Sequence, residues 1–249
     1  MKDIRKYGLI GYPLSHSYSA RLFSAKFKLE GIPAEYNLYP IESIDKLPAL
    51  IRDNHLCGLN VTIPYKEKVI PCLASLEGAA KEIGAVNVIK IIRGADDSIT
   101  LKGYNSDAAG FMIAYGEMLK KAGHKALVLG TGGAAKAVSY ALKQLGFEVT
   151  LVSRRPGPGR ITYDETTEKV VAENLAIVNC TPLGMAAHEQ GLPPICYDGL
   201  SRKHVCIDLI YNPPVTEFRH ACALFGAETA GGYPMLKAQA EKAWEIWNA

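Results

Sequence analysis

Short apolar runs alternate with amphipathic helical patterns along the first hundred residues of the chain. Three of the apolar runs have the length of buried or half-buried strands, and they cover residues 7–13, 34–41 and 58–64. Apolar residues at helical spacing predict two helices between these runs, over residues 19–31 and 44–58. A pair of strands joined by the turn GADDS is indicated at residues 84–94 and 98–105. Strands that alternate with helices predict a mostly parallel sheet.

The pattern changes near residue 103, where we place a domain boundary. A helix is predicted to end at Gly123, and residues 125–155 then predict a strand, a glycine turn, a helix and a second strand. Further strands are indicated by apolar runs at residues 175–180 and 204–211. We therefore predict an α/β protein of two domains, residues 1–102 and 103–231. The final helix, residues 232–249, is expected to pack back on the N-terminal domain through Trp244 and Trp247.

Composition excludes several classes of protein. The 249 residues are 48% hydrophobic and 21% charged, and the net charge of +3 gives no indication of a nucleic-acid partner. Neither a signal peptide nor an apolar run of roughly 18 residues is visible, so we expect no membrane span. The six cysteines contain no CxxC pair and the histidines no HExxH spacing. We therefore predict free thiols, no metal site and a cytoplasmic location.

A glycine-rich segment, GTGGAAKA at residues 130–137, is a candidate phosphate-binding loop. It follows the apolar strand ALVL, opens a helix and matches the pattern G-x-G-x-x-A. Such glycines allow a tight turn and close backbone approach to a pyrophosphate, which the helix N-terminus then attracts. This context predicts a dinucleotide site in a Rossmann-like domain with a doubly wound parallel sheet. The candidate contacts are Gly130, Gly132, Gly133 and Ala134.

The residues after the next predicted strand favour one cofactor. An NAD site usually carries Asp or Glu about 20 residues further on, where the acid binds the ribose 2′-hydroxyl. This chain has Ser153, Arg154 and Arg155 there instead, and two guanidinium groups suit a 2′-phosphate. We therefore predict NADP. For Arg155 a solvated loop position is the alternative, and we interpret Arg160 as a plain loop charge.

Polar side chains also follow several predicted strands of the N-terminal half. They are neutral hydroxyl and amide groups with one cation and one anion: Ser15, Ser17, Ser19, Asn60, Thr62, Lys66, Asn87, Asn105 and Asp107. Ligands of α/β sheets lie beyond the carboxyl ends of strands, so we expect these groups to line one site. Such a set suits a polyhydroxylated small molecule.

Taken together, these segments resemble the shikimate dehydrogenase family, also called the shikimate 5-dehydrogenases. The matching motifs are GYPLSHSYS, NVTIPYK, GAVN, YNSD, GTGGAAKA, NCTPLGM, DLIYNPPVT and GGYPMLKAQA. They occur in the family's order and span residues 8–240, nearly the full chain. Each motif alone is weakly specific, but the set is highly specific.

The resemblance implies an oxidoreductase of chorismate and aromatic amino acid biosynthesis, which passes a hydride from shikimate to NADP and forms 3-dehydroshikimate. It implies that Lys66 and Asp107 form the catalytic pair. The positions implied to bind substrate are Ser17, Ser19, Thr62, Asn87, Tyr211 and Gln239, and those near the nicotinamide are Leu209 and Gly232. The chemistry agrees, because alcohol oxidation needs a group that takes the hydroxyl proton and returns it in reverse.

Each residue also has a structural interpretation when it is taken alone. Lysines such as Lys66 are often solvated, and aspartates such as Asp107 often begin helices. Ser17 and Ser19 could cap a helix, and Asn87 could satisfy backbone groups at a strand end. Tyr211 could be a core residue, and Gln239 could lie on a solvated helix face. We interpret His16 as structural. The joint occurrence of the motifs favours the functional interpretation.

The chain departs from the family's pattern at four positions. Ala20 stands where proline is usual, and Ser106 replaces a threonine while keeping its hydroxyl. Arg155 differs from the usual neighbour of the NADP-binding arginine, which leaves the strictness for NADP over NAD open. Lys237 stands where an apolar residue is common.

Alternative functions stay open at this stage. The first is a dehydrogenase of quinate or an amino-substituted shikimate that uses NAD or NADP. Methylenetetrahydrofolate dehydrogenase has a similar two-domain plan but lacks the serine loop. A catalytically silent sensor of NADPH and a metabolite would be expected to lose Lys66 or Asp107, and both are present. Monomer and homodimer are both open, as is whether Lys66 acts alone or with Asp107.

Overall fold

The computed structural model describes residues 4–14, 17–186 and 190–249. Ser15 and His16, which were singled out from the sequence, lie outside the described residues. The chain forms two compact units. The first contains Met1–Ser106 and Gln239–Ala249, and the second contains Asp107–Ala238.

The described residues of the first unit form a mixed six-stranded sheet. Its strands are β1 (Arg5–Gly11), β2 (Ala34–Pro40), β3 (Leu56–Val61), β4 (Ser75–Leu76), β5 (Val88–Arg93) and β6 (Ile99–Tyr104), in the order β2-β1-β3-β5-β6-β4. Among these strands β5 alone runs against the others, since it pairs antiparallel with β3 and β6. The helices are α1 (Tyr18–Glu30), α2 (Leu47–Asn54), α3 (Tyr65–Lys68) and α4 (Ala80–Ile83).

The second unit contains a parallel six-stranded sheet in the part of the chain that is described. Its strands are β7 (Lys125–Leu129), β8 (Glu148–Ser153), β9 (Arg160–Thr162), β10 (Ala176–Asn179), β11 (Val205–Asp208) and β12 (Glu228–Ala230). Its helices are α5 (Asp107–Leu119), α6 (Gly133–Gln144), α7 (Glu168–Glu173), α8 (Glu217–Leu224) and the start of α9 (Tyr233–Asn248). The order β12-β11-β10-β7-β8-β9 is that of a Rossmann-like sheet, whose switch point lies between β7 and β10.

These sheets confirm the predicted α/β class, and the strand pair β5–β6 forms the predicted hairpin. The helix predicted over residues 44–58 ends earlier, at Asn54, because His55 is left-handed with a φ of 50° and Leu56 begins β3. The predicted boundary at residue 103 falls inside β6, where Gly103 pairs with Ile89. The division between the units follows Ser106, and α9 is divided after Ala238.

The last residues of α9 cover one face of the first unit's sheet. The Trp247 indole N–H donates to the carbonyl of Ile89 at 3.0 Å, and its ring stacks on Tyr7 at 4.8 Å. The indole fills the space beside Gly58, where an added Cβ would lie 2.5 Å from the ring. Residues far apart in sequence therefore complete one core.

Within the described ranges, no helix is both long and apolar enough to cross a membrane. The same ranges contain no group of three or more His, Cys, Asp or Glu residues placed to hold a metal ion. All six cysteines are free thiols.

Candidate functional site

The glycine loop of the second unit joins β7 to α6 at the switch point of the sheet. Gly130 has a φ of 109°, which residues with a side chain rarely adopt, and its N–H donates to the carbonyl of Val152 at 2.8 Å. Gly132 precedes α6 and provides no side-chain cap, and a Cβ there would meet no heavy atom within 4 Å. The loop therefore offers a backbone surface and the N–H groups of a helix N-terminus to an anion.

The glycine pattern reaches its last position one residue beyond the predicted contacts. In G-x-G-x-x-A that position is Ala135, which is fully buried, whereas Ala134 is half-buried. Ala135 thus allows the close packing of helix on sheet that this motif requires. Gly133 is the first residue of α6. The predicted set omitted Ala135, although the motif's own spacing identifies it.

The three predicted cofactor residues after β8 lie at its carboxyl end. Ser153 is the last residue of the strand, and Arg154 and Arg155 follow with exposed side chains. The Ser153 hydroxyl accepts the N–H of Arg155 at 3.3 Å. Burial raises the pKa of the neighbouring Tyr163 phenol, while the charge of Arg154 opposes that shift. Arg160 bends back onto its own loop, where its guanidinium donates to the carbonyl of Pro156 at 3.4 Å.

A buried carboxylate organises the ends of β10 and β11. Asp208 accepts the hydroxyl of Thr216 at 2.6 Å, the N–H of Ile210 at 3.0 Å and the side-chain amide of Asn179 at 3.1 Å. Burial raises the pKa of Asp208, although these three donors oppose the shift. The hydroxyl of Thr216 also caps α8. Asp208 therefore fixes both ends of the segment that carries Leu209 and Tyr211.

The two residues predicted near the nicotinamide lie against each other in the second unit. A Cβ on Gly232 would overlap the carbonyl oxygen of Leu209, and the N–H of Gly232 donates to the carbonyl of Ile210 at 3.0 Å. Tyr211 is half-buried on the same segment. The structure thus brings Leu209 and Gly232 together at the carboxyl end of β11.

Lys237, which departs from the family's pattern, has a local partner. Its ammonium group lies 5.3 Å from the ring centroid of Tyr233, one helical turn earlier. Successive helical positions are about 100° apart, so Lys237 and Gln239 point to nearly opposite sides of α9. The lysine therefore points away from Gln239.

In the first unit, the loops after β1 and β3 approach each other closely. A Cβ on Gly11 would lie 2.5 Å from the methyl group of Thr62, and the N–H of Tyr12 donates to the carbonyl of Ile63 at 3.1 Å. Ser17 caps α1 by accepting the N–H of Ser19 at 3.2 Å, so its capping role is present in the structure. Thr62 is half-buried and Ser19 is buried.

A chain of buried and half-buried polar side chains connects several predicted residues of the first unit. The Tyr36 hydroxyl donates to Asn60 Oδ1 at 2.8 Å, and Asn60 Nδ2 donates to the backbone carbonyl of Asn87 at 3.2 Å. Asn87 Nδ2 in turn donates to the Ser106 hydroxyl at 2.9 Å and to Gln239 Oε1 at 3.4 Å. We call these five residues the amide network. It brings Asn87 and Gln239 together at the carboxyl end of β3.

The two predicted catalytic residues lie at element starts. Lys66 is half-buried in α3, directly after β3, and its carbonyl accepts the N–H of Val86 at 2.7 Å. Asp107 is the buried first residue of α5. Lys66 belongs to the first unit and Asp107 to the second. Asn105, also predicted, donates from its amide to the carbonyl of Ala85 at 2.9 Å.

The sequence analysis missed residues that hold the predicted site residues in place through hydrogen bonds and packing. They are Tyr36, Ala135, Asn179, Asp208 and Thr216. For Asn179, Asp208 and Thr216 the signal was available, because they belong to the motifs NCTPLGM and DLIYNPPVT. Tyr36 gave no such signal, since it occupies an ordinary strand and meets Asn60 only once the sheet has formed.

Comparison with known proteins agrees with these motifs. The family profile described as "Shikimate dehydrogenase substrate binding domain" matches residues 9–89. The "Shikimate dehydrogenase (NADP(+))" of Carboxydothermus hydrogenoformans is 39% identical, over 97% of this chain and 90% of the relative. The crystal structure of shikimate dehydrogenase from Aquifex aeolicus is 32% identical with a TM-score of 0.86, over 98% of this chain and 92% of that one.

A related enzyme of different specificity shares the fold. Quinate dehydrogenase from Corynebacterium glutamicum, solved in complex with NAD, is 27% identical with a TM-score of 0.84. The alignment covers 98% of this chain and 94% of that one. Identity with the Carboxydothermus relative is higher and extends over nearly the whole chain. The chain therefore belongs to the shikimate dehydrogenase family.

Proposed function

We propose that this protein catalyses the NADP-dependent, reversible oxidation of shikimate to 3-dehydroshikimate, a step towards chorismate and the aromatic amino acids. One observation carries the proposal. Asn60, Asn87 and Gln239 come from three separate family motifs and meet in one buried network, whose neighbour Val86 is hydrogen-bonded to Lys66. The name of the Carboxydothermus relative specifies NADP(+), which supports NADP as the cofactor of this protein.

The second unit offers a fitting site for NADP. The open space at Gly132 and the uncapped start of α6 suit a pyrophosphate. The exposed guanidiniums of Arg154 and Arg155 suit the 2′-phosphate. The neighbouring Ser153 is uncharged and so does not repel that phosphate. Leu209 and Gly232 would border the nicotinamide. When bound, the cofactor supplies the hydride acceptor.

The proposed substrate carries ring hydroxyls and one carboxylate. Hydroxyl and amide side chains would bind these groups, and we assign Ser17, Ser19, Thr62, Asn87, Tyr211 and Gln239 to that role. Neutral donors and acceptors held in a fixed network discriminate against analogues that lack a hydroxyl. When such an analogue binds, the protein group that would pair with the missing hydroxyl is left without a hydrogen bond. This arrangement therefore favours a polyhydroxylated ring.

Lys66 and Asp107 are proposed as the acid–base pair. As the hydride leaves the carbinol carbon, the Lys66 amine takes the hydroxyl proton. In the reverse direction the Lys66 ammonium returns that proton and stabilises the negative charge that develops on the carbonyl oxygen. Asp107 would orient the amine and help to shuttle the proton.

The test is a comparison of substrates and cofactors by the absorbance of the reduced nicotinamide. Shikimate and quinate are each paired with NADP and with NAD. We expect the highest kcat/KM for shikimate with NADP. A preference for quinate or for NAD would move the assignment to a quinate dehydrogenase, and NADPH binding without any turnover would favour a sensor.

Two finer expectations belong to the same proposal. Six free cysteines suit a reducing compartment, so we propose a cytoplasmic enzyme. Monomer and homodimer are distinguished by light scattering on the sample used for the assay. Equal activity across a dilution series that dissociates a dimer would show that one chain is sufficient.

A further inference from the structure

We infer that Tyr36 is a positioning residue of the substrate site, whose phenol holds Asn60, and through Asn60 the substrate-binding residue Asn87, in the position that binds the hydroxylated ring. The inference rests on the proposed function. Tyr36 lies on β2 and reaches across β1 to β3, where it donates to Asn60. Asn60 in turn donates to the backbone carbonyl of Asn87 at 3.2 Å. Tyr36 thus anchors the amide network to β2.

The direction of the bond from Tyr36 to Asn60 follows from the groups around it. Asn60 Nδ2 donates to the backbone carbonyl of Asn87, which can only accept. The side-chain oxygen of Asn60 must therefore face Tyr36, and the phenol O–H donates its one hydrogen bond to that oxygen. Without that proton, the Asn60 amide would lose one of the two partners that fix its orientation.

The phenol itself has little freedom. Its ring stacks on Phe23 with centroids 4.5 Å apart and planes 10° apart, and Trp247 lies at 6.4 Å. Burial raises the pKa of Tyr36 well above its usual value, although the Ser19 hydroxyl opposes the shift, so the phenol keeps its proton throughout the working pH range. A rigid, neutral donor is what positioning of an amide requires.

A buried tyrosine in α3 of the same unit provides a comparison. Tyr65 donates to the backbone carbonyl of Ile41 at 2.6 Å, which satisfies its hydroxyl without involving a polar side chain. Tyr36 instead bonds to a side chain that leads, through Asn87, to Gln239. The Tyr36 hydroxyl therefore orients a polar side chain in addition to satisfying its own hydrogen-bonding requirement.

The test is Tyr36→Phe, which removes one oxygen and keeps the ring. We expect KM for shikimate to rise about tenfold, the equivalent of about 1.4 kcal/mol, while KM for NADP stays unchanged and kcat changes far less. The matched control is Tyr7→Phe, because Tyr7 packs in the same aromatic cluster and its ring lies 6.0 Å from the guanidinium of Arg5. The control is expected to leave both KM values unchanged.

A double-mutant cycle with Asn60→Ala tests the route through Asn60. The Asn60→Ala variant alone, which should also raise KM for shikimate and leave KM for NADP unchanged, is the second measurement if Tyr36→Phe folds poorly. If Tyr36 acts through Asn60, the double variant raises KM for shikimate less than the product of the two single effects. Independent effects, an unchanged KM in Tyr36→Phe, or equal rises in KM for shikimate and NADP would overturn the inference. A wild-type enzyme inactive on shikimate would instead refute the proposed function.

Discussion

Gly232 lies so close to the carbonyl oxygen of Leu209 that a single added methyl group would overlap that oxygen. The contact sets the start of α9 directly on the segment that follows β11. Because the obstacle is backbone, it cannot rotate away as a side chain would. Glycine is thus required at residue 232 by packing, independently of any ligand.

We therefore predict that Gly232→Ala displaces the start of α9, lowers the free energy of unfolding by about 1–3 kcal/mol and raises KM for NADP. Thermal unfolding and steady-state kinetics measure the two effects. The control is Gly116→Ala in α5, where a Cβ meets no heavy atom within 4 Å. That control should stabilise the protein by about 0.5–1 kcal/mol. Equal behaviour of the two variants would contradict the packing argument.

Replacing Lys66 is expected to remove catalysis while leaving binding largely intact. Lys66→Ala should lower kcat by about 10²–10⁴-fold, since that is the usual contribution of a positioned acid–base group. Lys68→Ala is the control, because Lys68 is exposed in the same short helix. Stopped-flow measurement of hydride transfer separates the chemical step from product release. Similar losses in both variants would remove Lys66 from the proposed pair.

Arg154 should determine the preference for NADP over NAD. Arg154→Ala is expected to raise KM for NADP by about 10- to 100-fold, the range expected for a lost hydrogen bond to a charged group, and to leave KM for NAD unchanged. Arg155→Ala, measured beside it, decides whether the second guanidinium contributes or is merely solvated. A parallel loss with NAD would mean that Arg154 supports the loop and does not bind the 2′-phosphate.

The pH dependence of stability should report on Asp208. Burial raises the pKa of this carboxyl in the folded state, so over the interval above the unfolded value of about 3.9 the native state binds more protons than the unfolded state. Its contribution to stability is therefore present at low pH and is lost as the pH rises through the folded pKa.

The variant Asp208→Asn removes this titration and keeps the size of the side chain. We expect the melting temperature of the variant, relative to wild type, to increase from pH 4 towards neutrality. Differential scanning calorimetry across that range measures the trend. The opposite slope would mean that the donors from Thr216, Ile210 and Asn179 outweigh burial.

Local patterns predicted most of the architecture, because strand and helix periods and glycine turns are encoded within a few residues. The doubly wound sheet followed from one glycine loop with a strand before it and a helix after it. Predictions of boundaries were weaker, as at His55, where a left-handed residue ends α2 early. The short strands β4, β9 and β12 had no pattern of their own, since pairing with longer neighbours creates them.

The candidate site was predicted unevenly for a similar reason. Residues that sit in motifs, such as Asn87 and Gln239, could be named from the sequence. Tyr36 could not, because its importance arises from a bond across an intervening strand to Asn60. Side chains that position site residues have no fixed spacing in sequence from the residues they hold, so they are identified only once the register of the sheet is known.

The packing of Trp247 beside Gly58 has a consequence for the order in which the newly made chain folds. The second unit is continuous in sequence, so it can fold while the ribosome is still adding residues. The first unit, whose strands are all synthesised earlier, is completed only when Trp247 has been made, after the whole of the second unit. Until then the aromatic face at Tyr7 stays uncovered, and removal of Trp247 would destabilise the first unit more than the second.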